Sequence, residues 1–251
     1  MTVRFAAFVA AAAFAVTGAV LPASARATAA AACGSGANGS TGYAYAGQQA
    51  ATTAHGVRAT ITPLALPKVA AGHVGAWIGV GGKAAGPGGA DEWLQAGLGA
   101  LPGGTPFVYA EIQRPGTGRT FLTLHENVEA GESHQLAVLE VKGRPNVWRI
   151  WLDGAPATGP LEVAGSSGRW KPMATAESWN GGQSVCNTFS FRFQRVNVAT
   201  APGGSWGAFT PGYRFLDHGY VLHQLLPAPK DSRITAGGTL RPYAFDAASA
   251  P

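Results

Sequence analysis

Short runs of alternating apolar and polar residues, separated by glycine and proline, occupy most of the chain between residues 43 and 226. A period of two is the pattern of a strand that buries one face and leaves the other towards solvent. The predicted strands cover residues 57–62, 74–80, 92–98, 107–113, 119–126, 134–142, 146–153, 170–179, 187–199 and 213–225. Glycine and proline turns recur between them, which is typical of all-β sandwiches and barrels. We therefore predict an all-β protein.

Three of these strands carry a carboxylate or carboxamide beside an aromatic residue, on the face opposite the aliphatic side chains. The pairs are Trp93 with Gln95, Tyr109 with Glu111, and Trp179 with Glu177. Alternation alone favours a sheet with one solvated face, because such a face also carries polar side chains. Most other carboxylates, including Glu92 and Glu132, lie in or beside predicted turns, where we expect them only to solvate the surface.

The first residues have the pattern of a secretory signal. A basic start at Arg4 precedes an apolar run over residues 5–20 and the small-residue exit Ala23-Ser24-Ala25. We therefore expect a secreted protein. The predicted organisation is a signal peptide at 1–25, a flexible lead-in at 26–42, a β-sandwich domain at 43–226 and a tail rich in proline, alanine and glycine at 227–251.

Composition narrows the functional classes. The net charge is +5, but the 18 Lys and Arg residues are scattered and form no basic run, so no nucleic-acid partner is expected. No later apolar run reaches the ~18 residues that span a bilayer, so we expect no membrane association after signal cleavage. The six His are spread out, and no metal site and no cofactor are predicted.

The chain contains two cysteines, Cys33 and Cys186. An even number of cysteines in an exported chain favours a disulfide, because the extracellular environment is oxidising. We predict that Cys33 and Cys186 form one bond that joins the lead-in to the domain.

Four motifs, in order, resemble the glutamic peptidases called eqolisins. They are AWIGVGG at residues 76–82, WLQAG at 93–97, VYAEI at 108–112 and ATAES at 174–178. The family shows a W-V-G-I-D-G block, an L-Q-x-G strand, a Y-E-W strand and a later strand with the catalytic glutamate. The resemblance covers roughly residues 43–200, and Gly81 stands where the family has an aspartate.

The resemblance implies a two-sheet antiparallel β-sandwich of the concanavalin type (a jelly roll). It also implies roles for single residues. Gln95 matches the catalytic glutamine and Glu177 the catalytic glutamate, and the two are expected to meet across adjacent strands. Glu111 matches a further acidic residue near the site, and Trp77 an aromatic residue of the substrate groove. Trp93 and Tyr109, which flank these positions, are expected to support substrate binding.

The implied activity is acid endoproteolysis, in which a Gln/Glu dyad activates a water molecule against a protein or peptide substrate. The alternative is a non-catalytic sandwich that binds polysaccharide or cell-wall material through aromatic side chains. A glycosidase on the same fold is disfavoured, since the E-x-D-x-x-E strand of lectin-like glucanases is absent. The protein is expected to be a monomer.

Overall fold

The computed structural model describes residues 42–183, 185–226 and 243–250. It confirms the predicted fold class, because these residues form two antiparallel sheets that pack face to face. Strands are numbered along the chain. In spatial order, the first sheet contains β14 (Pro211–Leu216), β1 (Tyr43–Ala50), β11 (Met173–Trp179), β3 (His73–Gly82), β4 (Glu92–Ala100), β5 (Phe107–Arg114) and β6 (Gly118–His125).

The second sheet has nine strands. Its main path is β10 (Leu161–Glu162), β8 (Val147–Leu152), β7 (His134–Glu140), β2 (Gly56–Lys68), β12 (Thr188–Ala201), β16 (Tyr243–Ser249) and β15 (Tyr220–Leu226). Two short strands pair at its margins, β9 (Ala155–Pro156) with β8 and β13 (Ser205–Ala208) with β12. The described residues include one 3-10 turn, Pro87–Gly89, and no helix that is long and apolar enough to cross a membrane.

The core lies between the two sheets and is built by the predicted alternation. In β4, Leu94, Ala96 and Leu98 point inward and are fully buried. From the second sheet, Phe193 and Phe245 enter the same core and stack with ring centroids 4.6 Å apart. Burial of these aliphatic and aromatic side chains supplies the main favourable free energy of folding.

The last strand corrects the expected C-terminal boundary of the domain. Residues 243–249 fall in the predicted tail at 227–251, but they form β16 between β12 and β15. The physical reason is their own alternation: Tyr243, Phe245 and Ala247 are buried on one face. The signal peptide at 1–25, the lead-in up to residue 41 and the first part of the tail lie outside the described residues. Cys33 is among them, so its bond to Cys186 stays a prediction.

Candidate active site

A groove of about 440 Å³ lies on the outer face of the seven-stranded sheet. Its walls combine aromatic, charged and amide side chains from β1, β3, β4, β5, β6, β11 and β14. The residues that matter for chemistry are Tyr43, Tyr45, His73, Trp77, Trp93, Gln95, Glu111, Arg119, Glu177 and Phe215. A smaller cavity of about 300 Å³ between β14 and β15 has no carboxylate in its lining.

The glycine floor is the set of outward-facing glycines on β3 and β4, the strands that supply Trp77, Trp93 and Gln95 to the groove. In β3 and β4 the outward positions next to the polar residues are Gly75, Gly79 and Gly97, which alternate with the buried core positions. At two of these positions the neighbouring strand lies so close that only a glycine fits. A Cβ at Gly97 would lie 2.6 Å from the Cβ of Trp77, and one at Gly79 would lie 2.9 Å from the Cβ of Gln95. The missing side chains open the space that the neighbouring strands line.

Gln95 lies on β4, next to the central strand β3 of the seven-stranded sheet. It pairs with Gly79 on one side and with Glu111 of β5 on the other. Its Nε2 donates a hydrogen bond of 3.3 Å to the hydroxyl oxygen of Tyr109, which lies beneath the groove and is buried. Burial, followed by the charges of Glu177 and Glu111, holds the pKa of Tyr109 well above its ordinary value. The phenol therefore stays neutral and fixes the orientation of the Gln95 amide.

Glu177 projects into the groove from β11 and is held by two donors. His73 Nε2 lies 3.0 Å from Oε1, and Trp77 Nε1 donates to Oε2 at 3.2 Å. Tyr45 lies opposite Glu177 on the neighbouring strand β1, and its pKa is raised by burial first and then by the charge of Glu177. A carboxylate only accepts hydrogen bonds, so His73 carries a proton on Nε2. The carboxylate is thus fixed in position while 12% of its side chain stays exposed.

Glu111 is the second carboxylate of the groove. Trp93 Nε1 donates to its Oε1 at 3.0 Å, and an Arg119 guanidinium nitrogen lies 3.8 Å from the same atom. Burial raises the pKa of Glu111, and the charge of Glu177 adds to this, while Trp93 and Arg119 act in the opposite direction. A carboxyl group with a raised pKa keeps its proton at acid pH, so Glu111 can serve there as a neutral hydrogen-bond donor.

The order of the strands differs from the expectation for the predicted dyad. Strand β3 lies between β11 and β4, so Glu177 and Gln95 are not on adjacent strands. Glu177 pairs with Gly75, whereas Gln95 pairs with Gly79. The carboxylate directly opposite Gln95 is Glu111. Local alternation places side chains on a face, but only the long-range strand order decides which of them are neighbours.

The Tyr109 hydroxyl spans part of the gap between Glu177 and Gln95. It accepts the hydrogen bond from Gln95, and it also lies 3.5 Å from the position that a Cβ at Gly75 would occupy. Gly75 is the pairing partner of Glu177. The polar groups of β11, β3, β4 and β5 therefore face one continuous space.

Sequence analysis missed five of these groove residues: Tyr43, Tyr45, His73, Arg119 and Phe215. Tyr45 could have been found from the sequence, because it stands two residues after Tyr43 and shares one face of β1 with it. His73 stands four residues before Trp77, and so shares the outward face of β3 with it. Arg119 follows a turn, and its proximity to Glu111 depends on the pairing of β5 with β6.

The structure also explains why residue 81 is a glycine. Its φ is +86°, a left-handed conformation that glycine adopts without strain. A Cβ there would collide with the carbonyl oxygen of Glu92 on the neighbouring strand. An aspartate cannot stand at this position without a change in the backbone of β3.

No family model matches this sequence, and no curated protein matches it. Among solved structures, scytalido-glutamic peptidase bound to a transition-state analogue inhibitor is similar over 82% of this chain and 98% of its own, with 12% identity and a TM-score of 0.51. SCP-B, an eqolisin-family peptidase complexed with the tripeptide Ala-Ile-His, matches over the same shares with 13% identity and a TM-score of 0.47. Bacillus licheniformis β-glucanase matches over 59% of this chain and 67% of its own, with 13% identity and a TM-score of 0.38. At 12% identity the likeness to scytalido-glutamic peptidase shows the fold alone.

Proposed function

We propose that this protein is a glutamic-type peptidase that hydrolyses peptide bonds of an extended polypeptide bound in the groove. The observation that supports this most is the convergence of Gln95, Glu111 and Glu177 on one groove with a glycine floor. The site thereby combines a neutral amide donor, a fixed carboxylate and a carboxyl group with a raised pKa. The fold shared with scytalido-glutamic peptidase agrees with the proposal, while the side chains of this chain carry it.

Each polar side chain has a separate task in the proposed reaction. Glu177 removes a proton from a water molecule, and the water oxygen attacks the carbonyl carbon of the scissile bond. The Nε2–H of Gln95 donates to the oxyanion that forms, and as a neutral amide it can do so at any pH. Glu177 then returns its proton to the departing nitrogen as the C–N bond breaks, which leaves a free carboxyl and a free amine.

The other polar side chains of the groove hold Glu177 and Gln95 in position or change the charge around them. His73 and Trp77 hold Glu177, and Tyr109 holds Gln95. Glu111, opposite Gln95, is protonated at acid pH and then places no negative charge beside the oxyanion. This division predicts activity at acid pH.

The test is digestion of a denatured protein at acid pH by the purified chain, with Glu177→Gln as the matched variant. The wild type should produce fragments, and Glu177→Gln should reduce cleavage to the background of the preparation, because the amide cannot carry the proton. Inhibitors directed at serine or aspartic peptidases should have no effect. Circular dichroism should show an unchanged β spectrum for the variant. Full cleavage by Glu177→Gln, together with loss of cleavage in Glu111→Gln, would transfer the role of base to Glu111.

The second candidate is a non-catalytic module that binds carbohydrate. The observation in its favour is a set of stacked rings at one end of the groove, where Tyr43 stacks on Trp179 at 5.8 Å and on Tyr45 at 6.3 Å. Aromatic faces are common platforms for apolar sugar surfaces. Retention of both wild type and Glu177→Gln on insoluble cell-wall polysaccharide, with no cleavage by either, would replace the peptidase proposal with this one.

A further inference from the structure

Away from the groove, three side chains with metal-ligating atoms meet where the chain crosses from one sheet to the other. His125 ends β6, His134 begins β7, and Glu132 lies in the connection between them. One ligand atom from each of the three lies within 4.8 Å of the other two. The two imidazole rings are 5.1 Å apart between centroids. Sequence analysis predicted no metal site, because it treated the histidines as dispersed and Glu132 as a turn residue.

The buried nitrogen of His134 is the most informative atom of this cluster. Its Nδ1 contacts Asp153 Oδ2 at 2.8 Å, and since a carboxylate only accepts, Nδ1 carries a proton. Nε2 is buried and makes no hydrogen bond to any described residue. It nevertheless lies 3.2 Å from Glu132 Oε1, at an angle unsuited to a hydrogen bond. In the neutral imidazole two acceptor atoms therefore lie side by side with no proton between them, an arrangement that a cation bound to both would stabilise.

Both carboxylates of the cluster are oriented by backbone amides. The N–H of Glu129 donates to Glu132 Oε2 at 2.9 Å, which leaves Oε1 towards the histidines and lowers the pKa of Glu132. The N–H of Gln135 donates to Asp153 Oδ1 at 2.7 Å, which leaves Oδ2 for His134. At zinc sites a carboxylate commonly accepts a hydrogen bond from the outer nitrogen of a ligating histidine, which fixes the tautomer and the orientation of the ring.

We propose that His125 Nε2, His134 Nε2 and Glu132 Oε1 form a Zn²⁺ site that ties the end of β6 to the start of β7. Zinc bonds to nitrogen and oxygen ligands are about 2.0–2.1 Å long, so neighbouring ligand atoms of a tetrahedral ion are about 3.3–3.4 Å apart. Glu132 Oε1 lies 3.2 Å from His134 Nε2 and 3.7 Å from His125 Nε2, close to that spacing. Two imidazoles and one carboxylate suit zinc better than calcium, which prefers oxygen ligands.

The proposed site has a closed side and an open side. His134 is buried, whereas 47% of the His125 side chain and 35% of the Glu132 side chain are exposed. Three protein ligands leave a fourth position for water from the exposed side. The site bridges a connection between the two sheets, so bound zinc should stabilise the folded chain by mass action.

The experiment is calorimetric titration of the untagged, chelator-treated chain with Zn²⁺ at neutral pH. We expect one zinc per chain, a higher melting temperature with zinc, and at least tenfold weaker binding by His125→Ala and by Glu132→Gln. Both changes are at partly exposed side chains, and each variant's melting temperature without zinc reports its folding. His218→Ala, at an exposed histidine elsewhere, should bind as the wild type does.

Two further measurements distinguish zinc binding at this site from adventitious binding elsewhere on the protein. Asp153→Asn keeps a side chain that tolerates the positive φ of 49° at this position but removes the charge behind His134, so zinc affinity should fall about 10- to 100-fold. Cobalt(II) should give the visible absorption of a four-coordinate ion, and this absorption should be absent in His125→Ala. The proposal is overturned if the chain binds no stoichiometric zinc, if both ligand variants bind as the wild type does, or if calcium binds equally tightly.

Discussion

Gln95 lies directly opposite Glu111 on adjacent antiparallel strands, β4 and β5. In such a pair the Cβ atoms are about 4.5–5.5 Å apart, so the amide and the carboxyl group share one local environment. Glu177 approaches the same space from beyond β3, in a fixed orientation set by His73 and Trp77. The groove is therefore organised around one central amide with a carboxyl group on each side.

The first prediction concerns this central amide. Gln95→Ala should lower the rate of peptide hydrolysis by about 10²–10³-fold, the usual effect of losing one oxyanion donor. The loss should fall on kcat, because the donor acts on charge that develops in the transition state. Gln113→Ala is the matched control, since Gln113 lies outside the groove lining on the same face of β5. Equal losses in the two variants would contradict the assigned role of Gln95.

The second prediction concerns the pH dependence of Glu111. Its pKa is raised mainly by burial, so the folded chain retains this proton at pH values where the unfolded chain has lost it. Its contribution to the free energy of unfolding should therefore decrease as pH rises from the ordinary carboxyl pKa through the raised value. Glu111→Gln should remove this dependence, and its stability relative to wild type should improve over that interval.

Denaturant titrations of both proteins across this pH range, combined with NMR titration of the Glu111 carboxyl, measure the effect. Arg119, Glu177 and His73 are the other titratable groups that act on Glu111, and all three remain in the variant. A constant difference in stability across the range would show that burial does not raise this pKa.

Much of the fold could be predicted because the alternation is local. Leu94 and Gln95 are adjacent and point to opposite sides, as the period of two requires. The same rule places Glu92 on the inward face, together with Leu94. Glu92 is buried in the structure, so the expectation that it only solvates the surface was wrong. The sequence could not show that β3 separates Glu177 from Gln95, because this depends on the pairing of β11 with β3 across about a hundred residues.

The cluster at residues 125–134 was missed for a different reason. His125 and His134 lie on strands of different sheets, and neither faces the other through a regular repeat. What brings them together is the return of the chain over Glu132, with Glu129 and Gln135 supplying the backbone donors. Loop geometry of this kind has no periodic pattern in a sequence.

The third prediction tests the glycine floor. Gly97→Ala should destabilise the protein by about 1–3 kcal/mol, the usual cost of overpacking, because the new Cβ meets Trp77 and forces β3 and β4 apart. Gly75→Ala is the control on the neighbouring strand. Its Cβ would have contacts no closer than 3.5 Å, so it fits without displacement. Chemical denaturation of both variants gives the comparison, and equal costs would exclude close approach as the reason for Gly97.

The fourth prediction tests whether β16 belongs to the folded domain. Phe245 is fully buried and stacks on Phe193 of β12, so Phe245→Ala should lower the free energy of unfolding by about 3–5 kcal/mol through lost contacts and a residual cavity. Phe121→Ala removes the same side chain where half of it is exposed, and should cost about 1 kcal/mol. Urea denaturation followed by tryptophan fluorescence measures both.

If β16 were a loosely attached tail, the Phe245 variant would instead match the wild type, and hydrogen exchange at residues 243–249 would be fast. The expected slow exchange follows from their position between β12 and β15, where backbone amides pair on both sides.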